Sequence, residues 1–294
     1  MLMSSNRQSI PPLIGCKWGQ YAPYYNNLKI DKKNQLVGCT ALAIAQIMYY
    51  WMVQRGYHRG CKATSKYTTA TSKTVVEPLP PLTTFDWQHL VAKPKTTDEK
   101  KAVAQLCEYI AKALRSDFGR AVTSAKRTIV DTTINTYLRL GNSKHYYEST
   151  TGKVKFEEMV YDDLAHGRPV FMSGSSTKSG AHSFVIDGYK AETNEYHVNW
   201  GWDGQFDGYF PLNKLVVDGE NYNGSKMAVM GIEPTYKLGD VNGDGSITIA
   251  DVMEVTNMAN EGRTSKQADI NSDGKVTKED ADLIVQHIIK GDVL

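Results

Sequence analysis

The sequence predicts an α+β fold followed by a small all-α module, and three patterns predict it. Residues 39–54 (CTALAIAQIMYYWMVQ) carry apolar side chains on nearly every face, the mark of a helix at the centre of a domain rather than on its surface. After Pro169 the period changes. PVFMS, HSFVIDGY, EYHVNW, GYFPL and KMAVMGI are short, β-rich and separated by turn residues, so helices come first and an antiparallel sheet packs on them. Beyond residue 237 a nine-residue pattern occurs twice, at Asp240 and at Asp269, each copy leading into an apolar helical stretch.

The elements follow in order. The segment to Ile30 is rich in Pro, Tyr and Asn and reads as irregular. The apolar helix ends near Gly56. Residues 62–84, rich in Thr, Ser, Lys and Pro, read as a long loop. Thr97 caps a helix over 98–115, with Asp98 and Glu99 suiting its positive end. Ser124 caps a second helix reaching Leu140 and stopped by Gly141, and a third covers 155–166 before Gly167. In the sheet, the second and third strands form a hairpin around Ala191–Asn194. A turn centred near 190–191 sets Asn199 opposite His182, and directly opposed residues share a face. The domains are therefore 10–233, a linker at 234–237 and a module at 238–292.

Composition narrows the class. The chain has 294 residues, enough for one large domain or two ordinary ones, and 41% are hydrophobic, so a sizeable core can form. Net charge is +2, unevenly spread: eleven acidic against five basic residues lie beyond Leu238, a balance of −6 that leaves +8 for the rest. The basic excess is too diffuse for nucleic acid. Four cysteines (16, 39, 61, 107) form no CxxC pair, which excludes zinc-ribbon and thioredoxin-like readings. Cys107 shares a helical stripe with Val103, Leu106, Ile110 and Leu114 and reads as core. Cys16 and Cys61 are open to pairing. No run is long and apolar enough for a membrane span, and the opening MLMSSNRQSI has no secretory hydrophobic stretch.

Cys39 heads the apolar helix, and a thiol is a nucleophile only as thiolate, a form favoured by a helix N-terminus and by a nearby imidazolium. His182, in GAHSFVIDGY, supplies the base, and Asn199, in EYHVNWGW, fixes its tautomer. The order Cys, His, Asn is that of papain-type enzymes. His197, beside Asn199, is the alternative base. Trp200 or Trp202 covers the His–Asn hydrogen bond, or packs as core. For the developing oxyanion the donors are the Cys39 N–H and the side chain of Gln20, with Gln35 second.

GCTALAIAQIMYYW, WGQYAPYYN, AHSFVIDGY and YHVNWGWDGQFDGYF together resemble the streptopain family of secreted bacterial cysteine peptidases, over residues 10–233. The resemblance implies a papain-like fold, a central helix on an antiparallel sheet, and endopeptidase action on proteins. It places nucleophile, base and orienter on Cys39, His182 and Asn199, an oxyanion-hole residue on Gln20, and a substrate contact on Ser124. Ala181 stands where that family has Gly before the His, which narrows the substrate cleft. The family is made with an inhibitory N-terminal propeptide, and nothing of that size precedes the first motif. The rival readings are a catalytically silent papain-like binding protein and a thiol amidase or transglutaminase.

The duplicated segment fits D-x-[DN]-x-[DN]-G, whose alternating oxygens suit calcium. The first loop offers Asp240, Asn242, Asp244, the Ser246 carbonyl, Thr248 and Asp251. The second offers Asp269, Asn271, Asp273, the Lys275 carbonyl, Thr277 and Asp280. Asp at position 12 and the missing incoming helix resemble a dockerin module, covering 238–292. That resemblance implies two calcium ions, none used in catalysis, and a cohesin-type protein partner at the cell surface or outside the cell. Ile249-Ala250 and Lys278-Glu279 fall at the corresponding recognition positions of the two copies and differ.

Overall fold

The computed structural model describes residues 7–57, 60–81, 85–235, 237–243, 246–291 and 294. Strands β1 (Lys29–Ile30) and β2 (Lys33–Asn34) make a small hairpin ahead of helix α1 (Cys39–Tyr49), which runs on as a π-helical turn through Tyr50–Gln54. Gly56, with φ 72°, closes it. The stretch read as a long loop contains a two-residue pairing of β3 (Tyr67–Thr68) with β4 (Val75–Val76). Helix α2 (Thr97–Ala113) starts one residue before expectation. Its cap is Thr96, whose hydroxyl accepts from Glu99 N–H while the Glu99 carboxylate accepts from Thr96 N–H.

The second expected helix is shorter. A 3₁₀ turn at Arg127–Ile129 leads into α3 (Val130–Tyr137), and Ser124 caps neither, because its backbone is used in a bridge with Asp117. Strand β5 (Lys144–Tyr147) was not expected, since KHYY carries no alternation of apolar and polar residues. After it come α4 (Glu148–Thr151), α5 (Lys153–Ala165), β6 (Val170–Ser176), β7 (Gly180–Lys190), β8 (Glu195–Asn199) and β9 (Gly208–Phe210). A small pairing of β10 (Val216–Val217) with β11 (Glu220–Asn221) precedes β12 (Gly224–Met230).

The main sheet has the order β5-β12-β6-β7-β8-β9 and is antiparallel throughout. Both faces are covered, which explains its near-continuous apolar runs. Phe171, Val185, Met227 and Val229 pack with α1 and α2, while Val170, Met172, Phe184, Ile186 and Ala228 pack with Phe156, Val160 and Leu164 of α5. Ten of the eleven residues of α1 are buried, and Cys39 is the exception. Cys107 is in the first core, as expected. All four cysteines are free thiols.

The hairpin forms at Ala191–Asn194, but its register differs from expectation. Lys190 pairs with Glu195, so the turn is centred two residues later, and a bulge between Ile186 and Gly188 shifts the ladder again. Asn199 therefore opposes Val185 rather than His182.

At the C-terminus, α6 (Ile249–Glu261) and α7 (Lys278–Lys290) enclose a separate small core of Val241, Val255, Met258, Ala268, Val276, Ala281 and Ile284. The chain leading to it is held to the larger body. Trp51 Nε1–H donates to the Ile232 carbonyl at 2.9 Å. A Cβ on Gly141 would lie 1.7 Å from the Thr235 methyl group, so Thr235 packs directly on that glycine. Arg139 donates to the Gly243 carbonyl at 2.7 Å.

Candidate active site

Cys39 is the first residue of α1, and Gly38 before it has φ 87° and ψ 139°, a conformation glycine adopts without strain. A Cβ on Gly38 would lie 2.9 Å from the Thr123 carbonyl oxygen. The chain thus turns sharply into the helix and leaves the Cys39 N–H among the first-turn donors that the helix cannot satisfy itself. Thr40 and Ser183 hydroxyls lie 3.1 Å apart, which ties the start of α1 to the residue after His182.

His182, on β7, is buried at 7% exposure. Its Nε2 lies 2.9 Å from the Trp200 carbonyl oxygen. A carbonyl only accepts, so Nε2 carries the proton and the lone pair of the neutral ring is on Nδ1. Trp202 stacks on the imidazole at 4.8 Å and 29°, and Tyr222 leans against it at 5.4 Å. Burial pushes the Cys39 thiol up, but the hydrogen bond to His182, the charge of that ring, the Ser183 backbone and the Thr40 hydroxyl outweigh it, leaving the thiol at about 7. The other three thiols go the opposite way. Burial raises Cys16 well above the ordinary range, Cys61 to about 12, and Cys107 strongly. Only Cys39 has the environment of a nucleophile.

Asn199 is not the group that meets the imidazole. Its Nδ2 donates to the Cys16 carbonyl at 3.0 Å, and its Oδ1 accepts from Gln46 Nε2 and from Gly201 N–H, each at 3.1 Å. The shifted hairpin register is the reason: it leaves Asn199 level with Val185, three residues short of His182, and brings the carbonyl of the following residue into reach. Trp200 is also corrected. Its ring is fully buried, and it is its carbonyl that meets His182. Trp202, partly exposed, is the aromatic cover.

His197 is engaged elsewhere, and it is His182 that hydrogen-bonds the Cys39 thiol. The His197 Nδ1 lies 2.6 Å from the fully buried carboxylate of Asp187, which also accepts from Ile14 N–H at 2.9 Å. That pair holds the N-terminal strap on β7. Gln35 Nε2 donates to the Lys33 carbonyl at 2.8 Å and braces the β1–β2 turn. Gln20 is partly exposed, its carbonyl accepts from Val37 N–H at 3.3 Å, and among the described residues its side-chain amide has no hydrogen-bond partner. A Cβ on Gly19 before it would displace the Asp203 carboxylate, whose Oδ2 lies 2.1 Å from that position. Ala181 is exposed on β7 beside His182, and Ser124 is exposed next to Thr123. Gln46, a link between α1 and Asn199, escaped the sequence reading because it sits within an apolar run; its one signal was being polar there.

The two C-terminal loops repeat one arrangement. Asp251 Oδ1 accepts from Val241 and Asn242 N–H at 2.8 and 3.0 Å, and its Oδ2 accepts from Thr248 N–H at 2.9 Å. Asp280 does the same with Ile270, Asn271 and Thr277, at 2.7, 3.3 and 2.8 Å. Both aspartates are fully buried and close capping boxes with Thr248 and Thr277. In the second loop Asp269 accepts from Asp273 and Gly274 N–H, Asn271 from Asp273 N–H, and Asp273 from Lys275 N–H. Alternate side chains thus fold over one turn and bring hard oxygen donors to one side of it, which fits a calcium ion. Among the described residues no three His, Cys, Asp or Glu side chains form a ready metal cluster. The donor between Asp269 and Asp273 is the Asn271 amide, and Asp280 already accepts from three backbone amides. Asp244 lies outside the described residues.

The sequence matches the Peptidase C10 family over residues 18–210 and the Dockerin type I domain over residues 238–289. Streptopain of Streptococcus pyogenes is 29% identical over 216 residues, 67% of this chain and 52% of streptopain, so the chain spans about half the length of that relative. The thiol protease/hemagglutinin PrtT of Porphyromonas gingivalis is 26% identical over 256 residues, 79% of this chain and 27% of PrtT. Among solved structures, the active wild-type interpain A cysteine protease of Prevotella intermedia superposes with a TM-score of 0.69 at 27% identity, covering 76% of this chain and 95% of interpain A. A prointerpain A fragment gives a TM-score of 0.67 at 24% identity, covering 78% and 73% respectively, and supports the fold alone.

Proposed function

The chain belongs to the peptidase C10 family, and from that premise we propose that it is a cysteine endopeptidase acting on proteins outside the cell and tethered through its C-terminal module. The observation that carries the reading is the single lowered thiol, Cys39, paired with an imidazole whose tautomer is set by the Trp200 carbonyl. The Cys39 thiolate attacks the peptide carbonyl carbon, and the carbonyl electrons move to oxygen. The Cys39 N–H and the Gln20 amide receive that oxyanion. As the oxyanion collapses, the C–N bond breaks and the His182 imidazolium gives its Nδ1 proton to the leaving amine. Neutral His182 then takes a proton from water, whose oxygen attacks the thioester and releases the acid. Trp202 screens the ring from solvent, Ala181, exposed beside His182, contacts substrate, and so does Ser124, which follows the Thr123 carbonyl that lies against Gly38. Asn199 acts by holding the chain around Trp200.

A mixed peptide library incubated with the protein tests the reaction class. Cleavage that a thiol-directed inhibitor removes is the expected result. Amine incorporation without cleavage would point to an acyl-transfer enzyme, and no turnover with an alkylatable Cys39 to a silent binding protein.

In the module, calcium would be held by Asp240, Asn242, Asp244, the Ser246 carbonyl, Thr248 and Asp251, and by Asp269, Asn271, Asp273, the Lys275 carbonyl, Thr277 and Asp280. Its chemistry there is structural: it gathers anionic oxygens that otherwise repel. Ile249 and Met253, one turn apart on α6 and each 64% exposed, offer an apolar strip for a cohesin-type partner. The matching positions of α7 are Lys278 and Asp282, so the two faces are unequal. Calcium chelation is expected to move a calorimetric transition of the module to lower temperature while the transition of the larger domain persists. At calcium about a thousandfold above the dissociation constant the lost stability is about 4 kcal/mol per site. A trace unchanged by chelator would refute calcium binding.

A further inference from the structure

We propose that Gln46, paired with Asn199, is a positioning residue that fixes the thiol and the imidazole relative to each other; the proposal rests on Cys39 and His182 being the reacting pair. Gln46 lies seven residues beyond Cys39, two turns along the same face of α1, and is fully buried within the run Thr40–Tyr49, all of whose residues are buried. A carboxamide in such surroundings is costly unless every polar atom is matched. Here each atom has one role. Gln46 Oε1 accepts from Trp18 N–H at 3.2 Å, so Nε2 is the end that faces Asn199 and donates to its Oδ1 at 3.1 Å. Asn199 Oδ1 also accepts from Gly201 N–H, which leaves Nδ2 to donate to the Cys16 carbonyl at 3.0 Å.

Two amides thereby join three pieces of the site. One is the extended segment Cys16–Trp18 of the irregular N-terminal stretch, which continues to Gln20. Another is the helix that carries Cys39. The third is the turn Asn199–Gly201, held at both ends, with the Trp200 carbonyl between them receiving the His182 Nε2–H. Nothing in the network touches substrate. Its effect reaches the chemistry through the placement of that carbonyl, and so through the direction of the imidazole lone pair toward the thiol.

The test uses the full chain with Gln46→Met, which fills a similar volume without polar atoms, Asn199→Ala, and the double variant. Each is followed by peptide hydrolysis, by the pH dependence of Cys39 alkylation with iodoacetamide, and by thermal unfolding. The single variants are expected to lower kcat about tenfold or more with KM changed about twofold at most, and to raise the alkylation midpoint by about half a pH unit. The double variant is expected to be no worse than the poorer single one, because one coupled unit is lost once. A folded Gln46→Met protein with the parent kcat and alkylation midpoint overturns the proposal. So does a variant too unfolded to assay, since the pair would then hold the fold rather than the site. If the parent protein itself shows neither hydrolysis nor alkylation at Cys39, it is the underlying assignment that fails.

Discussion

Cys39→Ala is expected to abolish casein hydrolysis and labelling by a thiol-reactive peptide inhibitor, with residual activity lower by a factor on the order of 10⁵ or more. The reason is that no other thiol can stand in. Cys16, Cys61 and Cys107 are buried, and burial holds each of them protonated at neutral pH. The fold should survive the change. Cys39 is the one residue of α1 that is not buried, and alanine suits a first helical position sterically. Full activity in a well-folded Cys39→Ala protein would remove the assignment altogether. Loss of labelling with retained hydrolysis would point to a nucleophile elsewhere in the cleft.

The second large effect concerns His182. In the parent protein the thiolate is lost as pH falls through about 7, so alkylation should slow below that value. The ring lowers the thiol both by a hydrogen bond and by its charge, against the opposing effect of burial. With His182→Ala only burial and the smaller contacts remain, and the midpoint should move to about 8.5 or above. Hydrolysis near neutral pH should fall by about 10²–10⁴-fold, from the lost proton transfer alone. Alkylation rates measured from pH 5 to 10 check the first point, and single-peptide kinetics the second. An unmoved midpoint would mean that the depressed thiol owes nothing to the imidazole, and the pairing would be wrong.

The sequence carried the outline of this molecule because its strongest signals are local. The all-round apolar stretch from Cys39 became α1, the β-rich segments after Pro169 became β6 to β9 and β12, and the duplicated loops became two copies of one loop–helix unit. Register was not local. His182 and Asn199 stand in the right order, but their meeting depended on a four-residue turn and a bulge at Ile186–Gly188, neither of which has a distinctive composition. The imidazole partner was missed for a related reason: it is a backbone carbonyl, and every residue has one. Ser124 shows the converse error. Its residue type suits a helix cap, but tertiary pairing with Asp117 had already claimed its backbone. Gln20 and Gln35 could be separated only once the Lys33 carbonyl was seen to occupy the Gln35 amide.

The join between the two parts has a consequence for reach. Ile232 is bonded to Trp51 and Thr235 is seated on Gly141, so only residues 236 and 237 separate the held chain from the first loop unit at Leu238. Fully extended, two residues span about 7 Å. An enzyme carried on a long flexible tail samples a wide sphere around its anchor. Here the join is short, so under the proposed tethering the cleft would stay close to the anchoring point. Which bonds are cut would then depend on what lies near the docking partner, as much as on the side chains that the cleft prefers.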